Sequence, residues 1–288
     1  MGSINAYTGI HPLNGRVLCY PDRRSALRAG AAVAAGLLAS ACGTDAPAAP
    51  GPSASGTAPA GPAAPAKAAP DKAPARAKAA AAPRRFAGQP VEIGHGPRGR
   101  PGVALTFHGN GEPAIAKAVL AEAERAGARV TVLAIGAWLD AHPEMARRIL
   151  DGGHELGNHT QRHLAINTMP EEQAYAEITG CADRLKRLTG SIGTWFRPSQ
   201  TQYATPLVRK LAQRAGYPHV LSYDVDSLDF TSPGAAAVIR TVIGPIQGGS
   251  VVSLHFGYAD TVDAMPPLLE ELARRKLRAV TTTELLTP

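Results

Sequence analysis

Cysteine is nearly missing from this 288-residue chain, with only Cys19, Cys42 and Cys181 present. Three thiols so far apart build no disulfide framework, so the fold must rest on an apolar core. Cys181 alone lies beyond the leader region, inside a helical pattern and with no neighbour to lower its pKa; it is expected to be a buried apolar residue and no nucleophile. Aromatics are also scarce, at 5% of residues, and beyond the first thirty positions the chain is almost bare of aromatic and β-branched residues up to about residue 85. A stretch of that kind cannot bury enough apolar area to offset its chain entropy. A basic surplus is absent where it would matter. Arg16, Arg23, Arg24 and Arg28 against Asp22, then Lys67, Lys72, Arg76, Lys78, Arg84 and Arg85 against Asp45 and Asp71, account for the whole net charge of +7. The remainder is near neutral, which excludes nucleic acid as the expected partner and points to a basic tether beside an anionic surface.

What is present divides the chain into a leader (1–42), an Ala/Pro-rich tether (43–85) and one globular domain (86–288). Arg23-Arg24 precedes an apolar stretch, Ala29 to Ala41, too short for a stable membrane span, and small residues lead up to Cys42. The arrangement resembles a bacterial lipoprotein signal, with Ala39 where that pattern prefers leucine. It implies an exported protein held to the cell membrane by a lipid on Cys42 and facing outward, or one that is secreted. Proline extends the tether and holds the domain off the surface.

In the domain, short apolar runs alternate with helical patterns. Strands are expected at 103–107, 130–135, 155–158, 195–196, 219–222, 251–254 and 277–280, and helices at 114–126, 143–150, 170–188, 205–215, 235–246 and 262–275. About seven such units in some 200 residues suit an α/β fold, a distorted (β/α)7-8 barrel. The polar motifs fall just after strands, at the face where barrel sites are assembled.

Four segments carry chemistry. His159 and His163, four apart after a short strand, meet one divalent cation if the segment begins a helical turn; the alternative is a surface histidine pair. His255, at the exit of an apolar strand, is placed for proton transfer. Asp224, Asp226 and Asp229 crowd one strand end and need a cationic partner, for which His255 is the candidate, unless they form a solvated turn. Arg197, after Trp195-Phe196 and fixed by Pro198, pairs with a site group or makes a structural ion pair.

In this order the segments resemble the polysaccharide deacetylase family (carbohydrate esterase family four, the NodB-homology domain) over about residues 100–286. Val103 to Phe107 matches the lead-in to that family's first motif and His159 to His163 its histidine pair. Arg197-Pro198-Ser199 falls at its arginine motif, Asp226 to Phe230 at its acidic motif and Leu254-His255 at its last. The resemblance implies a metal-dependent hydrolase that removes acetyl groups from an acetylated glycan, with water attacking the carbonyl at a divalent metal. His159 and His163 would hold the metal, with His255 as acid oriented by Asp229. Where the family's first motif has two aspartates, base and metal ligand, this chain has His108-Gly109. His108, with Arg197 beside it to keep it unprotonated, is then base or third ligand, and zinc suits the histidine-rich set. Gln200 would offer its backbone N–H to the oxyanion, and Phe230 and Leu254 would line an acetyl-methyl pocket. The competing reading is a carbohydrate-binding pseudoenzyme at the cell surface.

Overall fold

The structure, a computed structural model, describes residues 79–288. The leader and the tether up to residue 78 lie outside the described residues. Described elements are β1 (Glu92–Ile93), β2 (Gly102–Gly109), α1 (Pro113–Arg125), β3 (Thr131–Ala134), α2 (Gly136–Ala141), α3 (Glu144–Asp151), β4 (Glu155–Asn158), α4 (Glu171–Thr189), α5 (Pro206–Arg214), β5 (Val220–Leu221), β6 (Val225–Asp226), α6 (Ala235–Ile243), β7 (Val251–His255), α7 (Ala259–Arg274), β8 (Arg278–Ala279) and α8 (Thr282–Leu286). Local chemistry sets several boundaries. Thr205 accepts from the Val208 amide and Pro206 opens α5, where a missing N–H costs nothing. Helix α4 starts on Glu171-Glu172 and stops at Gly190, whose φ of 80° a side chain would resist.

The strands run parallel in the order β4-β3-β2-β7-β6, β8 pairs with the start of β2, and β1 pairs with β5. Phe196 bridges to Asn158 on one side and Val220 on the other, carrying the sheet from β4 to β5. The result is the distorted barrel that the alternation predicts. The strand expected at Trp195-Phe196 shrinks to this single bridge, since Pro198 has no N–H with which to continue a ladder.

Alternation along the strands sorts residues into two layers. Phe107, Val132, Val252 and Leu254 face outward and join Leu120, Met145 and Leu268 of the helices in the main core. Ala104, Leu133 and Val251 face the lumen with Trp195 and Leu221. By the same parity His108, His159 and His255 point inward at the C-terminal rim. The opposite end is sealed by the segment leading into β1. Phe86 stacks on Trp195 at 5.2 Å between centroids, its amide donates to His219 Nε2 at 2.9 Å, and His219 Nδ1–H donates to the Pro90 carbonyl at 2.7 Å. Packing starts before residue 86: Ala80 is buried, and the Ala81 carbonyl accepts from Ser191 Oγ.

Candidate metal and catalytic centre

His159 and His163 lie in a loop that follows β4, and the spacing works for a reason other than a helical turn. Thr160 and His163 both take positive φ, 68° and 57°. The Thr160 amide donates to Asn158 Oδ1, the His163 amide to Thr160 Oγ1, and the Arg162 amide and Nε to the buried Glu177 carboxylate. These bonds hold a strained backbone that brings the two rings to 4.9 Å between centroids.

His108 joins them from β2, its ring 4.3 Å from that of His159, and one nitrogen from each of His108, His159 and His163 lies within 4.8 Å of the others. His159 Nδ1–H donates to the Arg197 carbonyl at 3.1 Å, which leaves Nε2 unprotonated, buried and without a partner. A hydrogen bond from the far ring nitrogen that fixes the tautomer, together with an orphaned lone pair, is what a metal ligand needs. All three imidazoles are pushed toward the neutral form, His108 and His159 strongly; burial is the first cause, followed by a neighbouring ring, which is His159 for His108, His163 for His159 and His255 for His163. Arg197 contributes to this at His108 in the expected direction, though burial and the neighbouring rings outweigh it.

Arg197 is fully buried, with no carboxylate in ion-pair contact among the described residues. Its Nε and Nη2 donate to the Leu221 and Ser222 carbonyls, Tyr223 lies 5.3 Å from its charge, and burial pulls it down to about 10. Its Nη1 contacts His108 Nε2 at 3.2 Å. A guanidinium can only donate, so Nε2 accepts, and a neutral imidazole has a single lone pair. Ligation or base action by His108 must therefore displace this bond.

Gly109 alternates to the opposite face. A Cβ built there meets Ala134 Cα at 2.9 Å and a Val132 methyl at 3.0 Å. A side chain at 109 would thus point between the strands and away from the imidazoles. The next loop bends elsewhere too. Gly111 and Gly257, at φ 98° and 100°, pass so closely that a Cβ on Gly111 would lie 2.5 Å from Gly257 Cα, and Trp138 Nε1 donates to the Gly111 carbonyl.

His255 faces His108 edge-on at 4.3 Å. Its Nδ1 pairs with Asp229 Oδ1 at 2.7 Å, while Asp229 Oδ2 accepts from the His255 amide and Thr261 Oγ1. Asp229 is completely buried and its oxygens are satisfied; Thr261 is a member of this group that the sequence did not reveal. Phe230 sits edge-on to His255 at 5.2 Å. Gln200, at φ 55°, donates its side-chain N–H to the His163 carbonyl. Leu254 lies on the other face of β7 from His255, buried with Val252 and Phe256, so it packs the core instead of lining an acetyl pocket. Cys181 is buried as expected, its thiol pushed up to about 12 by burial.

Residues 95–220 match the family model described as Polysaccharide deacetylase. A peptidoglycan-N-acetylglucosamine deacetylase of Bacillus cereus is 31% identical over 188 residues, covering 64% of this chain and 87% of the relative. Among solved structures, a peptidoglycan N-acetylglucosamine deacetylase bound to a substituted N-hydroxybenzamide aligns with a TM-score of 0.64 at 23% identity, over 68% of this chain and 92% of that one. A pseudoenzyme of carbohydrate esterase family four from Bacillus anthracis aligns with a TM-score of 0.65 at 21% identity, over 69% and 70%.

Proposed function

Because this chain belongs to the polysaccharide deacetylase family, we propose that its histidine-lined pocket hydrolyses acetyl groups from an extracellular polysaccharide or cell-wall glycan. The observation that carries this reading is the meeting of His108, His159 and His163, with His159 Nε2 left buried and unpartnered. That donor set fits a divalent metal, and three imidazoles suit zinc. Such a metal would supply Lewis acidity toward the acetyl carbonyl and the attacking water.

The remaining roles belong to the chain. His159 and His163 offer lone pairs already cleared of protons. His108 completes the ligand set or serves as base once Arg197 releases its nitrogen. Asp229 fixes the His255 ring, so that Nε2 is the nitrogen that hands a proton to the departing group. Phe230 walls the acetyl side, and the Gln200 amide offers its N–H to the oxyanion. Export, with a lipid on Cys42 as the membrane attachment, would place this chemistry outside the cell.

The test is metal content by mass spectrometry together with acetate release from a panel of acetylated glycans. The expected outcome is bound zinc and acetate release in the native protein, both lost in His159→Ala. Undiminished release by metal-free His159→Ala would overturn the proposal. One observation favours a second reading, a carbohydrate-binding pseudoenzyme: the single His108 lone pair is occupied by Arg197 and, among the described residues, no carboxylate joins the His108, His159 and His163 group. That reading expects sugar binding with neither zinc nor acetate.

A further inference from the structure

The domain is near neutral as a whole, yet the end at which β2 and β8 begin carries more cations than its local structure requires. Arg125 closes α1, and Arg274 and Arg275 close α7, where cations complement the helix dipole; they pair with Glu122 and Glu271. Arg129 pairs with Glu284. Arg84, Arg100, Lys276 and Arg278, however, have no carboxylate partner among the described residues, and none of them lies in a helix. Arg100 is half-buried and the other three are exposed. They gather around β8. Arg84 Nη2 donates to Thr287 Oγ1 and Arg100 Nη1 to the Thr287 carbonyl. Arg278 stands opposite Gly102 in register, and its amide donates to the Pro101 carbonyl at 2.9 Å. Beside them a cleft of about 590 Å³ opens between α1, α7 and β8. Arg125, Arg129 and Arg278 line it together with Leu269, Leu277 and Val280. Among the carboxylates lining the cleft, Glu270 is the one that no ion pair takes, so the surplus is positive. Gly102 opens β2 and His108 nearly closes it, which puts this face about 20 Å from the imidazoles.

We propose that this basic face and its cleft seat the domain on an anionic phospholipid bilayer, with the histidine rim turned away from the lipid. A phospholipid answers both parts of the surface. Its phosphate meets the guanidinium groups, and its glycerol and first methylenes meet the side chains of Leu269, Leu277 and Val280. A soluble anionic polymer would satisfy the cations and leave the apolar cleft without a partner. The described chain also enters at this end, where Ala80 is buried and the Arg84 charge lies 4.6 Å from the Phe86 ring. The seat is separate from the imidazole cluster, so it orients the domain without taking part in any chemistry there.

The experiment sediments the full chain, carrying Cys42→Ser so that no attached lipid contributes, with vesicles of phosphatidylglycerol or of phosphatidylcholine at low and high salt. It is repeated with Lys276→Glu and Arg278→Glu together, with Leu277→Asn, and with a control pair, Lys117→Glu and Lys210→Glu, which reverses exposed cations of α1 and α5. Thermal melting confirms that each variant is folded. Phosphatidylglycerol vesicles should bind the parent chain, phosphatidylcholine vesicles should not, and salt should weaken the binding. One cation at an anionic surface is worth about fivefold in partition, so the reversed pair should bind at least about tenfold more weakly. Leu277→Asn should lose about threefold, and the control pair should stay within about twofold of the parent. Equal weakening in the control pair, or none in the reversed pair, overturns the proposal, because binding would then follow overall charge or the tether. Unchanged binding by Leu277→Asn overturns it as well. So does a reversed pair that loses affinity for soluble polyphosphate and keeps its vesicle binding, which would make the face a seat for an anionic polymer. Zinc content and acetate release are read on the same samples, and their absence from the parent chain would count against the deacetylase reading alone.

Discussion

His108 replaces a carboxylate in the pattern this chain otherwise follows, and Gly109 replaces another, but the two replacements are different events. His108 keeps its direction into the lumen and its contact with Arg197. Position 109 has turned away, because β2 stays in register with β3 up to Gly109 opposite Ala134. Gly109→Asp is therefore expected to lower stability by about 2 kcal/mol through overpacking and to leave zinc affinity unimproved, as read by thermal melting and by competition with a chelating dye. A clear gain in affinity would mean that the strand relaxes to admit the ligand. The sequence disclosed the identity of the site residues better than their directions. His159 and His163 were legible from their spacing, yet the helical turn invoked for them is a loop whose geometry depends on Asn158, Thr160 and Glu177. Thr261 was invisible, since a lone threonine in an amphipathic helix carries no signal of a partner 32 residues away.

Longer elements were readable, and of the two-residue strands β5 and β8 were foreseen while β1 and β6 were not. The patterns for α1, α4, α5 and α7 and for β2, β3, β4 and β7 place them to within a few residues, because burial on one face imposes a period over many positions. The two-residue β1 and β6 leave no period to detect, and α2 and α8 hide in what looks like loop. The crossing of Gly111 and Gly257 also escapes a reading along the chain, although it brings the β2 and β7 loops together beside the pocket. Gly111→Ala would have to place a methyl against Gly257 Cα at positive φ. The expected result is a loss of roughly 2 kcal/mol and a shift in Trp138 fluorescence, because its indole N–H bonds to the Gly111 carbonyl. Unchanged emission with native stability would show that the loops part easily.

Acid should act on the molecule as a whole. His108, His154, His159 and His163 all have folded pKa values below the ordinary 6.5, mainly through burial. Below pH 6.5 the unfolded chain takes up protons that the folded one refuses, so their contribution is full above 6.5 and lost as pH falls through the folded values. Glu155, raised by burial, acts in the opposite sense, with its contribution lost as pH rises. Glu124, lowered by Arg148, adds a further loss at lower pH. With four histidines against one glutamate, the metal-free protein should hold its melting temperature above pH 6.5 and melt progressively lower from pH 6.5 to 5.5, each histidine contributing up to about 1.4 kcal/mol per pH unit. A flat melting profile over that range would show that the imidazoles titrate freely.

The seal formed by Phe86, Trp195 and His219 has a mechanical consequence. A load reaching the barrel through the preceding polypeptide meets the Ala80 and Ala81 contacts and then this aromatic pair and imidazole acceptor, at the end of the barrel opposite the histidine cluster. Tension there would peel the closing segment before it disturbed the reactive rim, so that segment acts as a fuse that shields the histidine cluster from being pulled out of shape.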